Sequence, residues 1–443
     1  MKMLLLLLAC FPALARADFA WSYKCGQDSV CQRVPLADTN GEYIPLPKCR
    51  LVCKAGGTLW PFPTGEVRIG SEVVSVNVGD FSIEAARTTR LQEAVAVFKN
   101  HFKSFTAPGE AQVKVQFQIS DESSDLSLAT DESYRLWIQT HNGNSIVVIT
   151  ALTFQVRGVR VLPELDAPAH SGNGYQWGEE EGLGKLAVCV NRDPWEKYCV
   201  EPPCGQMNLA NPNLYDVVED IYRDMLDTFT GSAFHIGGDE VNFNCWNTTK
   251  EVTDYMDGKN IPRTEEGFME LWNEYQEEAL ARFKKANGGK LKDMILWTSH
   301  MTEPEFLHYL DPSIYTVQYW ESSTNKQLPN LVKKGFQVIM SNYDDLYLDC
   351  GFGAWVGEGN NWCSPYKGWQ KIYMNDPKKY LAAQGVTDPA LWSKIVGGET
   401  AMWTEQAGDQ NAMTKIFPRS YALAERYWSD PATGMCNREP YNR

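Results

Sequence analysis

The chain has 443 residues, 22% charged and 43% hydrophobic, with a formal net charge of −15 and an isoelectric point near 5.0. This is the balance of an ordinary globular protein, and it lacks the basic footprint that nucleic acid or an anionic membrane surface requires. Aromatic residues are plentiful, with 15 Trp, 20 Tyr and 18 Phe; most are core material, but indole faces also stack on the apolar faces of sugar rings.

Lys2 opens the chain with a positive charge, and an apolar run from Leu4 reaches Leu14 before Ala15-Arg16-Ala17, small residues spaced as signal peptidase needs them. The run is too short to span a bilayer, so residues 1–17 are expected to be a signal peptide and the mature chain to be secreted, with the lysosome as the alternative destination. Of 12 cysteines only Cys10 lies in that segment. In an oxidising compartment the other eleven are expected to form disulfides, Cys31–Cys49 nested inside Cys25–Cys53 among the first four. Cys49-x-x-x-Cys53 also has metal-like spacing, but the signal peptide weighs against zinc. Eleven is odd, so at least one thiol lacks a partner within the chain. Asn247-Thr248-Thr249 is a glycosylation sequon.

Next come alternating segments that read as strands: Val67–Ile69, Val73–Val78, Val113–Ile119, Tyr134–Thr140 and Ser145–Thr150. The last two flank an Asn142-Gly143 hairpin turn, and Thr89–Phe102 reads as a helix. Residues 18–150 are therefore expected to form a small α+β domain. From residue 151 the rhythm changes to short buried strands, each ending in polar or aromatic residues: Val159–Leu162, Phe234–Ile236, Met294–Trp297, Tyr315–Tyr319, Phe336–Met340 and Ile395–Val396. Tyr215–Phe229, Gly267–Asn287 and Tyr421–Tyr427 read as helices. Functional residues at the C-terminal ends of strands are the layout of a β/α barrel. About six βα units can be counted, where a closed (β/α)8 barrel has eight.

His235-Ile-Gly-Gly-Asp239-Glu240 sits at one such strand end. Its two glycines allow a ligand to approach the backbone closely. Adjacent carboxylates are what glycoside hydrolysis needs, because like charge raises the pKa of one partner and keeps it available as an acid. A helix cap, or a metal site using His235 and Asp239, is the alternative on chemistry alone.

That segment resembles the signature of glycoside hydrolase family 20, the β-N-acetylhexosaminidases, and most of all its arthropod chitin-degrading members. Arg157-Gly-Val-Arg-Val-Leu-Pro-Glu164-Leu-Asp166-Ala-Pro-Ala-His170, Ser341-Asn-Tyr-Asp-Asp-Leu-Tyr347-Leu-Asp349-Cys350-Gly and Glu399-Thr-Ala-Met-Trp403-Thr-Glu405-Gln carry it too, in the family's order over about 151–430. The resemblance implies hydrolysis of terminal non-reducing N-acetylglucosamine or N-acetylgalactosamine from chitooligosaccharides or glycans, with retention, the substrate's own 2-acetamido group acting as nucleophile. Glu240 would be the general acid/base, Asp239 would orient the acetamido group, and Tyr347 would bond its oxygen. Trp297, Trp320 and Trp403 would wall the sugar pocket, and Asp349 and Glu405 would bind sugar hydroxyls. Glu164 would act near the leaving group or support Glu240, and Trp362 would stack on the next sugar. Trp355 lies in the same Gly/Asn-rich loop as Trp362, where a large ring is poor core material. Asp166, His170 and His235 would order the site. The resemblance also implies bridges Cys189–Cys245, Cys199–Cys204 and Cys350–Cys363, which leaves Cys436 over. It implies no cofactor and no metal, and since related enzymes are often dimers it leaves a homodimer as one option, with oligomeric state open; no later stretch is apolar enough to span a membrane.

The chain departs from the family in one block. The arginine motif of the first barrel strand and the His-Trp-His stretch of the second are absent, because Ile149–Phe154 resembles the end of the accessory domain while Arg157-Gly158 already opens the third strand. The chain also ends at Arg443, before a final helix and cysteine that the resemblance implies. The expected catalytic region, 151–443, is thus a truncated barrel, and the alternative function is that of a catalytically impaired sugar-binding isoform or an incomplete gene product.

Overall fold

A computed structural model describes residues 161–429 without a break, and 21–153 with breaks at 27–29, through most of 45–75 and 85–110, and at 122–132 and 142–143. The signal peptide, the strand expected at Val67–Ile69, nearly all of the helix expected over Thr89–Phe102, the Asn142-Gly143 turn, and Cys436 lie outside the described residues. The chain divides into two compact units. Residues 1–157, less a few near 125–129, form most of the first, and 158–423 form the body of the second.

In the first unit β1 (Trp21–Cys25) and β2 (Cys31–Pro35) pair antiparallel. Cys25–Cys53 and Cys31–Cys49 pin them to the following segment, so these four sulfurs are occupied by each other rather than by zinc. A four-stranded sheet follows, built from β3 (Val76–Ile83), β4 (Ala111–Asp121), β5 (Tyr134–His141) and β6 (Asn144–Thr153), in the order β3-β4-β6-β5. The β5–β6 pair is antiparallel, whereas β4 runs parallel to both β3 and β6. Val113, Val115 and Val148 are buried, while Leu136, Trp137 and Ile138 of β5 are exposed.

The second unit is α/β. After a small two-stranded sheet, β7 (Ala187–Val188) and β8 (Gln206–Met207), five strands run parallel in sequence order: β9 (Ala233–His235), β10 (Asp293–Trp297), β11 (Tyr315–Tyr319), β12 (Gln337–Met340) and β13 (Ile395–Gly398). Every residue of β11 is buried, as in a parallel sheet covered on both faces. Helices Pro212–Thr228 and Glu265–Ala286 cover β9 and β10. The first has proline at its start and the Asn211 side chain accepting from the Asn213 amide. The second has Thr264 capping Gly267, acids in its first turn and lysines in its last, each matched to the free backbone groups and dipole of that end. Their shared core is a triangle of rings, Tyr222, Phe234 and Phe283, with centroids 4.9–5.6 Å apart. Glu219 ties the helices together on the outside through Arg282 and Lys285, and pairs with Arg223 within its own helix.

Val159 and Arg160 lie outside the described residues; over the rest of the strand expected at Val159–Leu162 the sequence misleads. Val161 and Leu162 are neither strand nor buried; they are 54% and 36% exposed. Only Glu164 pairs with β9, in a single parallel bridge to His235 flanked by two backbone hydrogen bonds. Hydrophobic residues make a strand only where a neighbour pairs with them, and among the described residues Val161 and Leu162 have no ladder partner.

Candidate active site

The strands of the second unit deliver their C-terminal ends to one place. The chain leaves β9 through Gly237 and Gly238, with φ of 66° and 90°, and reaches Glu240 at φ 51°. A side chain at Gly237 is excluded: its Cβ would lie 2.3 Å from Asp166 Oδ1 and 2.7 Å from Asp166 Cα. His170 is also left-handed, φ 48°. Non-glycine residues in this region of backbone space gather at functional sites, where the surrounding structure imposes them.

The acidic side of the site follows from that turn. His170 Nε2 lies 3.3 Å from Glu240 Oε2 and 3.8 Å from Asp239 Oδ2. Glu164 Oε1 accepts a hydrogen bond from Trp297 Nε1 at 2.7 Å and stands 3.0 Å from His235 Nδ1. The Gly237 amide also points at that nitrogen, at 3.0 Å, so a proton on Nδ1 serves Glu164 and a proton on Nε2 leaves Nδ1 to accept from Gly237. Burial works against ionising Glu164, but His235 and Trp297 outweigh it and hold the carboxyl below its ordinary range. Asp166 and Asp239 move the other way: burial first, and for Asp166 the nearby Asp239 charge next, push both well above the usual carboxylate range. Burial lowers His170, yet its bond to Glu240 and the charges of Asp166 and Asp239 win and raise it to about 10.

The aromatic side is a wall of indoles and phenols. Trp297 meets Trp403 at 5.9 Å, Trp403 meets Tyr347 at 6.3 Å, and Tyr347 meets Trp362 at 6.0 Å. Trp362 lies edge-on to Trp320 at 6.3 Å and close to Tyr343 at 5.0 Å. Trp297 and Tyr347 are buried, and Trp362 is 59% exposed, so the wall runs from the sheet out to solvent. Trp320 is held by donating its ring N–H to the Thr298 carbonyl at 2.7 Å. Cys350–Cys363 closes the loop that carries Trp355 and Trp362, and buried Asp349 sits beside that bridge. Burial raises the Tyr347 hydroxyl far above its ordinary value and Asp349 to about 6. Glu405 is exposed, within electrostatic reach of Asp349 and Glu201.

Sequence reasoning overlooked Glu201. It accepts from Trp355 Nε1 at 3.1 Å, and burial, then Glu405 and Glu240, push its carboxyl up to about 7. Its only sequence signal is its place inside the five-residue spacing of the Cys199–Cys204 bridge. Tyr343 was overlooked too, although it lies in the same motif as Tyr347. Cys189–Cys245 ties the long loop before β8 to the helix Phe243–Asn247. Asn247 ends that helix and is exposed.

A parallel α/β sheet whose strand ends present paired carboxylates inside a ring of indoles is the class of site that handles carbohydrate. Residues 128–431 match the profile of "Glycosyl hydrolase family 20, catalytic domain". The chain belongs to glycosyl hydrolase family 20. It is 45% identical over 285 residues to a chitooligosaccharidolytic beta-N-acetylglucosaminidase of Ostrinia furnacalis, a match covering 64% of this chain and 46% of the relative. It is 40% identical over 280 residues to a probable beta-hexosaminidase of Drosophila melanogaster, covering 63% and 39%. The chain thus spans less than half the length of these curated relatives. Among solved structures, a chitobiase from Flavobacterium johnsoniae shares the fold, with a TM-score of 0.53 at 17% identity, over 84% of this chain and 69% of that one. No helix among the described residues is long and apolar enough to cross a membrane.

Proposed function

We propose that this chain is a β-N-acetylhexosaminidase that removes terminal non-reducing N-acetylglucosamine or N-acetylgalactosamine from chitooligosaccharides or glycans. The observation that carries this reading is the meeting of Asp239, Glu240 and His170 at the end of β9 with the wall of Trp297, Trp403, Tyr347 and Trp362. Asp239 and Tyr347 orient the 2-acetamido group, and its carbonyl oxygen attacks the anomeric carbon. The bond to the leaving oxygen breaks as Glu240 supplies the proton. Water then opens the oxazoline-type intermediate, giving up a proton to Glu240, with net retention. Trp297, Trp320 and Trp403 enclose the sugar; Asp349 and Glu405 accept from its hydroxyls. Glu164 and His235 brace Trp297, and Trp355 and Trp362 face the next unit. Asp166 and His170 set the charge around Asp239. No cofactor enters these steps.

In this reading residues 18–150 are an accessory domain, the second unit is a family barrel without its first two strands, and a secreted, glycosylated protein, free or dimeric, follows from residues 1–17 and Asn247. The flank beyond Glu164, where nothing among the described residues pairs with it, favours a second reading, a protein that binds such glycans without cutting them. Proton NMR of the first-formed anomer from an aryl β-N-acetylglucosaminide decides between them, beside calorimetry with a chitin oligomer. Retained β-anomer, lost in Glu240→Gln, supports hydrolysis. Binding heat without product supports the second reading.

A further inference from the structure

Three groups of metal-ligating side chains converge among the described residues, and two are spoken for, because their sulfurs are joined as Cys25–Cys53, Cys31–Cys49 and Cys350–Cys363. The third is Asp166, His170 and Asp239, whose donor atoms lie within 4.8 Å of one another. Asp166 Oδ1 and Asp239 Oδ1 are both shut off from solvent with no N–H or hydroxyl donor beside them, and the two carboxyls stand within hydrogen-bond reach of each other. A buried carboxylate oxygen without a donor is costly unless positive charge stands near it. The backbone, rather than a surface rotamer, sets this crowding: the β9 turn at Gly237 presses directly on Asp166.

We propose that Asp166, His170 and Asp239 form a binding site for zinc. One imidazole nitrogen and two carboxylate oxygens are a donor set that suits zinc, with a fourth position left to solvent. The side chains of His170 and Asp239 are 28% and 14% exposed, which leaves the ion a way in. Zinc–nitrogen and zinc–oxygen bonds of about 2.0–2.2 Å put tetrahedral donors roughly 3.4 Å apart. The 3.8 Å between His170 Nε2 and Asp239 Oδ2 therefore closes with a small rotation. Glu240 and Glu164 add negative charge around the same point, which favours a cation further. The bound ion would draw His170 away from Glu240 and engage Asp239. It is therefore an inhibitor of the hydrolysis proposed above, although the binding itself does not depend on that reading.

The test is calorimetry of the full chain with zinc chloride in chelator-stripped buffer, with tryptophan fluorescence as a second readout. One saturable site tighter than ~100 μM is expected. His170→Gln and Asp166→Asn should each weaken it at least about tenfold, in proteins whose melting transitions remain cooperative. His308→Ala, on a separate acidic patch with Glu303 and Glu305, should leave it unchanged, and magnesium should not compete, since it demands octahedral oxygen ligands. No saturable heat up to about 1 mM, unchanged affinity in His170→Gln, or loss of binding in His308→Ala would each overturn the proposal. If the chain cleaves an N-acetylglucosaminide, zinc should inhibit and a chelator restore the rate. If it does not cleave, the calorimetry still decides.

Discussion

The two sides of the site are held by different physics. The acidic side rests on the sheet: a strand end, a glycine pressed against Asp166, two left-handed residues, and charges that shift one another. The outer part of the aromatic side rests on a loop: Trp355 and Trp362 lie between Cys350 and Cys363, and their rings reach Glu201 and Trp320 outside it. In the proposed hydrolysis the acidic side would govern whether a bond breaks, and the aromatic side whether a sugar stays. Variants that strike one side and spare the other test that division.

The largest effect is expected from Glu240→Gln. Loss of a general acid should cut kcat by ~100-fold or more while KM changes little. Trp362→Ala should do the reverse, raising KM for a chitin oligomer with kcat nearly intact, since stacking holds substrate and transition state alike. Steady-state kinetics on both variants settles it, and equal losses of kcat would erase the distinction.

Opening the loop is the next step down. Replacing Cys350 and Cys363 together with Ser removes a bridge with a sequence separation of 13, a constraint worth about 2–3 kcal/mol through the unfolded chain. Thermal unfolding should shift down by several degrees, by an amount insensitive to pH, and oligomer binding should weaken with it. A full-strength melting point with normal KM would show that the loop is held by its other contacts.

The smallest effect concerns charge on the acidic side. The His170 pKa is raised from 6.5 to about 10 in the folded state. A raised basic group binds its proton more tightly when folded, so its stabilisation is complete below pH 6.5 and disappears as pH climbs through 10. Stability of the protein should decline across that window. His170→Gln should flatten the decline, as read from denaturant midpoints at pH 6, 8 and 10. A decline of the same size in the variant would mean that the imidazolium is not what the aspartates hold.

Much of the site was legible in the residues because its motifs are contiguous. His235 to Glu240, Ser341 to Cys350 and Glu399 to Glu405 each straddle one strand end, and the strand directs whatever follows it to the same mouth. Five strands of the second unit and its two long helices appeared where alternation and helical spacing put them, within a residue or a few. The cysteine pairs form as expected because each links segments that the neighbouring elements already bring close. Glu201 escaped because nothing near it in sequence marks it; Trp355, 154 residues away, does so in space.

By itself, then, the amino-acid order determined the family, the residue types that line the site, and the parallel character of the second sheet, because these depend on local pattern and contiguous motifs. The tertiary structure alone decided that Val161 and Leu162 are not strand, and which carboxyls lose their ordinary acidity. Pairing needs a neighbour that local sequence does not name: Glu164 has one in His235, whereas Val161 and Leu162 lie exposed outside any strand. Acidity depends on distance and dielectric: Asp166, Asp239 and Glu201 become abnormal only when the folded chain buries them, Asp166 beside Asp239, Asp239 beside Glu240 and Glu164, and Glu201 beside Glu405 and Glu240.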